Sequence, residues 1–180
     1  MRIISGTHKG RRITPPKNLP VRPTTDMAKE ALFNILTNNY YFEEIKVLDI
    51  FAGTGNMSFE FASRGSKAVT SVDTHSGCIS FIASKSEEWG FPIVTKRMDV
   101  FKFLEKTREK YDLIFADPPY NISADEFDLI HHIVFERDLL LADGSLVIEH
   151  AKKTDLSHLA HFTSVRKYGN SSFSFFKKKI

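Results

Sequence analysis

The stretch YDLIFADPPYN, residues 111–121, places polar and aromatic side chains at the end of an apolar run that has the composition of a buried strand. The Asp117 carboxylate can accept a hydrogen bond from an exocyclic amine, and the Pro118 carbonyl, whose direction the ring fixes, can accept a second. Tyr120 can stack on the face of a base. An amine held in this way directs its lone pair at an incoming electrophile. An ordinary strand-to-loop turn is the alternative, since Asp and Pro both favour turns.

A second group of candidate residues lies in DIFAGTGNMS, residues 49–58. Gly53 and Gly55 stand between a predicted strand and a predicted helix, where glycine lets the backbone approach a ligand and leaves helix N–H groups facing it. Asp49 precedes them in the strand. Its carboxylate would repel a pyrophosphate but suits a cationic amino group, which disfavours a dinucleotide oxidoreductase and favours a ligand that carries an ammonium.

Two further carboxylates follow predicted strands. Asp73 lies 20 residues after Gly53, a spacing at which an acidic side chain can accept hydrogen bonds from the hydroxyls of a ribose. An N-cap for the following helix is the alternative, although Thr74 and Ser76 are also available for that position. Asp99 can accept a hydrogen bond from an adenine amino group, and it is equally suited to cap the next helix.

Alternating strand and helix patterns from Lys46 onward must position these residues. Strands separated by helices need crossover connections, so the sequence predicts an α/β fold with a largely parallel, buried sheet whose strand ends bring the carboxylates to one edge. The tail FTSVRKYGNSSFSFFKKK predicts an antiparallel hairpin at a sheet edge. Before this core, RIIS and RRIT predict a short hairpin, PPKNLPVRP predicts a connector, and Thr25 is expected to cap an amphipathic helix.

Composition limits the class of protein. The 180 residues suit one globular domain, the single cysteine excludes an internal disulfide, and no apolar run approaches the length that crosses a bilayer, so we expect a cytoplasmic protein. Residues 1–29 and residues 151–180 each carry seven lysines and arginines against one acidic residue, whereas residues 30–150 carry 11 against 20. Basic ends around an acidic body favour a polyanionic partner, although the terminal lysines can also serve only to keep a sheet edge soluble.

Several segments of this sequence resemble those of a known protein family. DIFAGTGNMSFEFASRG followed by DPPY resembles class I S-adenosylmethionine-dependent methyltransferases that act on exocyclic amines. MRIISGTHKGRRI and RPTTDMAKEALFNIL are similar to segments of the bacterial 16S rRNA guanine-N2 methyltransferase (RsmD) family, and the resemblance spans nearly the whole chain. Asp73 stands where many relatives have Glu, Lys29 where many have Arg, and Asn56 where a small residue is frequent. Lys29 gives up the bidentate geometry of Arg.

The resemblance implies a Rossmann-like fold with a seven-stranded, mostly parallel sheet, an antiparallel last strand, and an N-terminal hairpin and helix extension. Residues 1–40 are expected to form this basic extension, and residues 41–180 the methyltransferase domain. S-adenosylmethionine is the implied cofactor and S-adenosylhomocysteine the product, and no metal is needed. The expected cofactor-binding residues are Asp49, Phe51, Gly53, Gly55, Asp73, Asp99 and Val100. The expected catalytic residues are Asp117, Pro118, Pro119 and Tyr120. The expected RNA-binding residues are Arg2, Lys9, Arg11, Arg12 and Arg22.

The implied reaction is methyl transfer to the N2 amine of a guanine in 16S rRNA, either naked or within the 30S subunit or an assembly intermediate, by a monomeric enzyme. Another amine acceptor such as adenine N6 stays open, because DPPY does not identify the base. A non-catalytic RNA-binding assembly factor is the alternative from a different class. The histidine pairs His131, His132 and His158, His161 have no third ligand nearby in sequence and are expected to be solvated.

Overall fold

The computed structural model describes residues 1–20 and 24–178 and contains one sheet of seven strands. The strands are β1 (Lys46–Ile50), β2 (Ala68–Asp73), β3 (Ile93–Arg97), β4 (Tyr111–Ala116), β5 (Leu140–Ala151), β6 (Phe162–Tyr168) and β7 (Ser171–Lys177). Their order is β3-β2-β1-β4-β5-β7-β6. Strands β1 to β5 are parallel, and β7 lies antiparallel between β5 and the edge strand β6. The predicted α/β fold with a mostly parallel sheet and an antiparallel last strand is confirmed.

Within the described ranges, five α-helices cover the two faces of the sheet. They are α1 (Asp26–Thr37), α2 (Asn56–Ser63), α3 (Ser76–Trp89), α4 (Val100–Lys106) and α5 (Ala124–Glu136), with a short 3-10 helix at Phe42–Glu44. Helices α1 and α2 pack with Val47 and Leu113 on one face, whereas α4 and α5 pack with Leu48 and Ile114 on the other. Successive residues of a strand face opposite sides of the sheet. Because helices cover both sides, every residue of a central strand is buried, which explains their continuous apolar runs.

Three boundaries differ from the sequence patterns. The run VFKFLEKTREK predicts a helix that continues to Lys110, but α4 ends at Lys106 because Thr107 is extended. The run ADEFDLIHHIVFERDLL predicts a helix that reaches Leu140, but Asp138 has a φ of 54°, which a continuing helix does not tolerate. The run GSLVIEH predicts a strand from Gly144, but Leu140 already pairs with Tyr111, so β5 begins earlier.

The N-terminal hairpin is closed by backbone hydrogen bonds between residues 1–3 and residues 10–13. Arg2 and Arg12 form a single antiparallel bridge, and the Ile3 amide donates to the Arg11 carbonyl at 2.9 Å, so the two short strands predicted here are reduced to one bridge. Ile3 and Ile13 are buried together with Phe59 of α2. This burial fixes the hairpin against the helical layer.

Helix α1 begins as predicted. The Thr25 hydroxyl accepts a hydrogen bond from the Ala28 amide at 3.2 Å, and Asp26 lies in the first turn. No helix within the described residues is long and apolar enough to span a membrane.

The order of the strands reverses between β1 and β4. Strands β2 and β3 lie on one side of β1, and β4 and β5 lie on the other. In parallel α/β sheets, ligands bind beyond the carboxyl ends of the strands at this point. The fold therefore predicts a site beyond Ile50 and Ala116, the last residues of β1 and β4.

Candidate active site

A cavity of about 350 Å³ lies at the switch point of the sheet. We call it the glycine-loop cavity. Its lining residues come from the ends of β1, β2 and β4, from the start of α2 and from the N-terminal connector: Pro20, Thr24, Asp49, Phe51, Ala52, Gly53, Thr54, Asn56, Met57, Asp73, Thr74, His75, Phe115, Asp117, Pro118 and Pro119. The cavity has the volume of a small-molecule site.

The loop after β1 adopts the left-handed conformation at three residues. Phe51 has a φ of 60°, and Gly53 and Gly55 have φ values of 54° and 85°. A Cβ atom on Gly55 would lie 2.8 Å from Ile82 and 2.9 Å from Phe59, whereas one on Gly53 would meet no atom within 4 Å. Gly55 is therefore required by packing and Gly53 borders open space. The strained backbone at Phe51 is the kind of outlier that clusters at ligand sites.

Asp73 holds the glycine loop. One carboxylate oxygen accepts from the Gly53 amide at 2.9 Å and the other accepts from the His75 amide at 2.8 Å. The N-cap of α3 is His75, whose Nδ1 accepts from the Cys78 amide. The N-cap is therefore not Asp73, and it is not Thr74 or Ser76, the two alternatives. Helix α3 begins at Ser76, one residue later than a cap at Thr74 requires. Asp73 lines the cavity. That its carboxylate accepts hydrogen bonds from the hydroxyls of a ribose stays a prediction.

Asp49 contributes a buried carboxylate to the same cavity. Its exposed fraction is 1%, and it accepts a hydrogen bond from the Ser58 hydroxyl, which also contacts the Ser71 hydroxyl at 2.6 Å. Burial raises the pKa of the Asp49 carboxyl to about 7, and the hydrogen bonds from Ser58 oppose this rise. A cation that enters the cavity would favour the ionised form and lower this pKa again. The arrangement suits an ammonium group.

Asp99 and Val100 are not among the described lining residues of this cavity. Asp99 caps α4 by accepting a hydrogen bond from the Lys102 amide at 3.0 Å, which realises the second of the two roles that its sequence position suggested. Val100 is buried in the core beside α5. Neither residue lines the glycine-loop cavity, so contact of either with a cofactor stays a prediction.

The DPPY segment separates two cavities. Asp117, Pro118 and Pro119 border the glycine-loop cavity, and the Ile122 amide donates to the Pro119 carbonyl to close the turn. Tyr120 is 69% exposed and lines a second cavity of about 330 Å³. We call it the Tyr120 cavity, and its lining residues are Thr24, Thr25, Met27, Asp117, Tyr120, Glu149, Tyr168, Gly169, Asn170 and Ser171. Among the residues that the structure describes, Asp117 and Thr24 are the two that border both cavities.

Sequence analysis did not identify two residues of this region. Thr24 lies between the predicted connector, residues 15–23, and the predicted cap Thr25, and Glu149 lies in GSLVIEH, residues 144–150, which predicts a strand; neither residue had a predicted role. In the fold the Thr24 hydroxyl donates to the Glu149 carboxylate at 2.7 Å, and the Glu149 side chain is buried. The sequence contains one signal for this pair: Glu149 is a carboxylate inside an apolar strand, and a buried carboxylate needs a polar partner.

Four of the five predicted RNA-binding residues are described by the structure, and they lie on the hairpin rather than in either cavity. Arg2, Lys9, Arg11 and Arg12 are exposed. The Arg2 guanidinium pairs with Asp26 at 3.1 Å, and that of Arg11 lies 5.4 Å from the Trp89 ring centroid. Arg22 lies outside the described residues. The four described residues are exposed on the hairpin, with Arg2 beside the first turn of α1 and Arg11 beside the end of α3.

Lys29 is buried, with an exposed fraction of 1%. Its ammonium donates to the Arg2 carbonyl at 2.6 Å and to the Asn56 amide oxygen at 2.9 Å, and it pairs with Glu60 at 3.3 Å. Two of the three positions that depart from the family pattern, Lys29 and Asn56, therefore contact each other. Burial lowers the pKa of Lys29, and the nearby Glu60 carboxylate opposes this effect.

The expectation for the histidines was wrong at His131. This side chain is buried on α5, where its Nε2 contacts the Ala160 carbonyl at 2.7 Å and burial lowers its pKa. His132 and His158 are exposed. Within residues 1–20 and 24–178, no three His, Cys, Asp or Glu side chains lie close enough together to hold a metal ion.

Comparison with known proteins agrees with this geometry. The family described as "Conserved hypothetical protein 95" matches residues 1–177. "Putative rRNA methyltransferase YlbH" of Bacillus subtilis is 31% identical over 99% of this chain and 100% of its own length. "Ribosomal RNA small subunit methyltransferase D" of Haemophilus influenzae is 27% identical over 93% of this chain and 87% of its own.

The fold is also that of a solved methyltransferase. The Thermus thermophilus 16S rRNA N2 G1207 methyltransferase (RsmC), in complex with AdoMet and guanosine, superposes with a TM-score of 0.68 at 19% identity, covering 87% of this chain and 44% of that one. The chain therefore belongs to the Conserved hypothetical protein 95 family and is an RsmD-like class I methyltransferase.

Proposed function

We propose that this protein transfers the methyl group of S-adenosylmethionine to the exocyclic N2 amine of a guanine in 16S rRNA. The observation that carries the proposal is the position of Asp117, which borders both the glycine-loop cavity and the Tyr120 cavity. A carboxylate between two cavities can hold an amine at the boundary where the two reactants must meet. The names of the relatives from B. subtilis and H. influenzae support rRNA as the substrate.

The glycine-loop cavity fits the cofactor by the chemistry of its lining. Asp49 offers a buried carboxylate to the ammonium of the methionine portion, and Asp73 offers a second carboxylate to the ribose hydroxyls. Gly53 leaves open space beside the backbone for close approach. Because Asp49 has a pKa of about 7, binding of the ammonium is expected to release a fraction of a proton at neutral pH.

The residues of DPPY supply orientation and charge. When bound, S-adenosylmethionine supplies a methyl group on a sulfonium; its S–C bond breaks as the N–C bond forms, and sulfur keeps the electron pair as the neutral thioether of S-adenosylhomocysteine. The Asp117 carboxylate and the Pro118 carbonyl each accept a hydrogen bond from one N–H group of the N2 amine. These two hydrogen bonds orient the nitrogen lone pair. Asp117 favours the positive charge that develops on N2 and takes its proton, directly or through water. Tyr120 stacks on the base after it leaves its helix.

Replacing Asp73 tests the cofactor assignment. We expect Asp73→Ala to weaken S-adenosylmethionine binding by roughly 10- to 100-fold, since hydrogen bonds to the ribose are lost together with the bond that holds the Gly53 amide. Isothermal titration calorimetry measures the affinity. Asp155→Ala is the matched control, because Asp155 also accepts from the amide two residues ahead but lies outside both cavities. Equal affinities of the two variants would contradict the role of Asp73.

We further propose that residues 1–40 form an extension that binds rRNA through the basic surface of the hairpin. The four described residues Arg2, Lys9, Arg11 and Arg12 are exposed and can neutralise backbone phosphates. We propose that Arg22 contributes to the same contact. We also propose that the protein is a monomer and that it acts in the cytoplasm, on an assembly intermediate or on the 30S subunit.

Neutralising this surface tests the RNA contact. We expect simultaneous Ala substitution of Arg2, Lys9, Arg11 and Arg12 to weaken rRNA binding and to reduce the slope of log K against log salt by about 3, because each phosphate contact contributes about 0.7 to 0.9. Filter binding at several salt concentrations gives the slope. The control substitutes Ala for four exposed basic residues near α4, namely Lys96, Lys102, Lys106 and Arg108. Because both variants lose the same net charge, an equal fall in slope would place the RNA contact elsewhere.

Transfer of labelled methyl groups tests the function itself. The substrates are naked 16S rRNA and 30S particles from cells that lack the endogenous activity, and nucleoside analysis identifies the product. We expect N2-methylguanosine, and the preferred substrate reports the stage of assembly. Labelled N6-methyladenosine would overturn the guanine assignment in favour of another amine. Tight rRNA binding without any transfer, despite cofactor binding, would support the non-catalytic assembly factor instead.

A further inference from the structure

Met27 is an apolar side chain on the polar face of α1, where it is 66% exposed. The buried residues of this helix lie together on one face: Ala28, Lys29, Leu32, Phe33 and Leu36. With about 3.6 residues per turn, Met27 projects away from the centre of this buried face. The other exposed residues of α1 are all polar: Asp26, Glu30, Asn34 and Thr37. Packing within the described core therefore does not account for an apolar residue at position 27.

Met27 lies at the mouth of the Tyr120 cavity. It is one of the lining residues of this cavity, as is Tyr120, which is 69% exposed. A side chain that lines a cavity and also faces solvent lies at its rim. Among residues 1–20 and 24–178, five large hydrophobic side chains are exposed, and two of them border this one cavity. A single exposed apolar residue is ordinary, but two from different elements at one cavity indicate a contact with a ligand.

The basic hairpin adjoins the same end of α1. The Arg2 guanidinium pairs with Asp26 at 3.1 Å, and Asp26 immediately precedes Met27. Phosphate contacts fix the position of a nucleic acid on a protein. An RNA strand whose phosphates contact Arg2 would pass the first turn of α1 on its way to the Tyr120 cavity. Met27 would then face the nucleotides beside the one that enters the cavity.

The removal of a base from its stack leaves a gap that an apolar side chain can fill. Proteins that unstack nucleic acids insert Phe, Leu, Ile, Met or Pro between neighbouring bases. Methionine is unbranched and polarisable, so it adapts to an irregular space between aromatic rings. A side chain in the gap contacts the bases on either side and offsets part of the stacking free energy that is lost when the target base leaves.

We propose that Met27 is a wedge that enters the rRNA stack at the position from which the target guanine has moved into the Tyr120 cavity. This inference rests on the proposed function, since it assigns a residue to the base flipping that the reaction requires. Asp117 and Tyr120 contact the flipped base, whereas Met27 contacts the bases that stay in the stack. Met27 is thus a positioning residue, and it is not among the described lining residues of the glycine-loop cavity.

Methyl transfer to 16S rRNA by variants at position 27 tests the wedge. We expect Met27→Ala to lower kcat/KM by roughly 10- to 100-fold, because the gap stays unfilled. Met27→Leu keeps an apolar side chain of similar size and is expected to stay within about threefold of wild-type protein. Leu129→Ala is the matched control, because Leu129 is also an exposed apolar helix residue but lies outside both cavities. Calorimetry is expected to show unchanged S-adenosylmethionine affinity in all three variants.

Substrates that lack a neighbouring base separate gap filling from any other contact of Met27. Ligation introduces an abasic nucleotide on the 5′ or the 3′ side of the nucleotide that the labelled-methyl assay identifies. On the side where Met27 enters, no stack then remains to be filled. We expect one of these substrates to bring kcat/KM of Met27→Ala within about threefold of that of wild-type protein. Because both proteins are compared on the same RNA, any effect of the missing base on the RNA itself cancels.

The outcomes distinguish failure of the wedge from failure of the proposed function. Equal kcat/KM of wild-type protein and Met27→Ala on intact rRNA would overturn the wedge and leave the function standing. A deficit of Met27→Ala that persisted on both abasic substrates would also overturn it, because Met27 would then contact another part of the substrate.

Transfer to an adenine amine would overturn the guanine assignment, and the same comparison at that adenine would then decide whether Met27 is a wedge. If wild-type protein transferred no methyl group to any rRNA substrate, the proposed function and the wedge would fail together, because no base would then need to leave its stack.

Discussion

Asp117→Ala is expected to lower kcat for methyl transfer by about 10³- to 10⁴-fold while S-adenosylmethionine binding changes little. The substitution removes both the acceptor that orients N2 and the charge that favours the transition state, and general-base contributions alone reach about 10²- to 10⁴-fold. Cofactor affinity is largely retained because the carboxylates of Asp49 and Asp73 remain in the glycine-loop cavity. Single-turnover transfer to rRNA and calorimetry measure the two effects separately.

Asp117→Asn separates the loss of the hydrogen-bond acceptor from the loss of the negative charge. Asn keeps a carbonyl acceptor of the same size but loses the negative charge and the ability to take a proton. We therefore expect its kcat to lie between those of wild-type protein and Asp117→Ala. Asp125→Ala, in the exposed first turn of α5, is the control and is expected to leave kcat unchanged. Retained transfer by Asp117→Ala would remove Asp117 from the chemistry and would also remove the main support of the proposed mechanism.

The sheet and the edge of the site could be predicted from sequence because their signals are local. Strand and helix patterns alternate at short range, and Asp73 and Asp117 stand at or directly after the last residues of β2 and β4. In a parallel sheet, position along the strand already places such residues at the ligand-binding edge. Thr25 was likewise identified as an N-cap because its partner, the Ala28 amide, is three residues away.

Residues whose roles depend on distant partners could not be predicted. Thr24 and Glu149 are 125 residues apart in sequence, and only the register of β5 beside β4 brings Glu149 to the Tyr120 cavity. Lys29 is similar, because a lysine in an amphipathic helix is ordinarily solvated. Its burial follows from acceptors that belong to the hairpin and to α2.

Burial of His131 was predictable in principle. Phe127, Ile130, His131 and Val134 stand at i, i+3, i+4 and i+7 of α5, and all four are buried. The helical period therefore placed His131 on the apolar face. Of the two adjacent histidines, His131 therefore faces the core and His132 faces solvent.

The second large effect concerns the buried charges that join the hairpin to the methyltransferase core. Glu60, itself fully buried, accepts from the Ile4 and Ser5 amides at 2.9 Å and 3.1 Å and from the Arg64 guanidinium at 2.8 Å, in addition to its pairing with Lys29. One carboxylate thus accepts hydrogen bonds from two partly buried hairpin amides.

Lys29→Met is expected to reduce the free energy of unfolding by about 3 to 5 kcal/mol. The linear Met side chain fills most of the space, but Glu60 loses one of its two cationic partners, and the Arg2 carbonyl and the Asn56 amide oxygen lose a donor. Urea unfolding gives the free energy. Lys46→Met is the matched control, because Lys46 pairs with Glu109 at 2.9 Å on the exposed surface, where such pairs contribute at most about 1 kcal/mol.

A local measurement distinguishes loss of the hairpin from general loosening of the fold. Because Lys29 and Glu60 hold the hairpin backbone at Arg2, Ile4 and Ser5, hydrogen exchange in Lys29→Met is expected to rise first at those amides and only later in β1 and β4. Release of the hairpin would also displace the basic surface, so rRNA affinity is expected to fall more than cofactor affinity. If Lys29→Met and Lys46→Met lost equal stability, the buried pair would hold the hairpin no better than an exposed one, and hydrophobic contacts of Ile3 and Ile13 would account for its attachment.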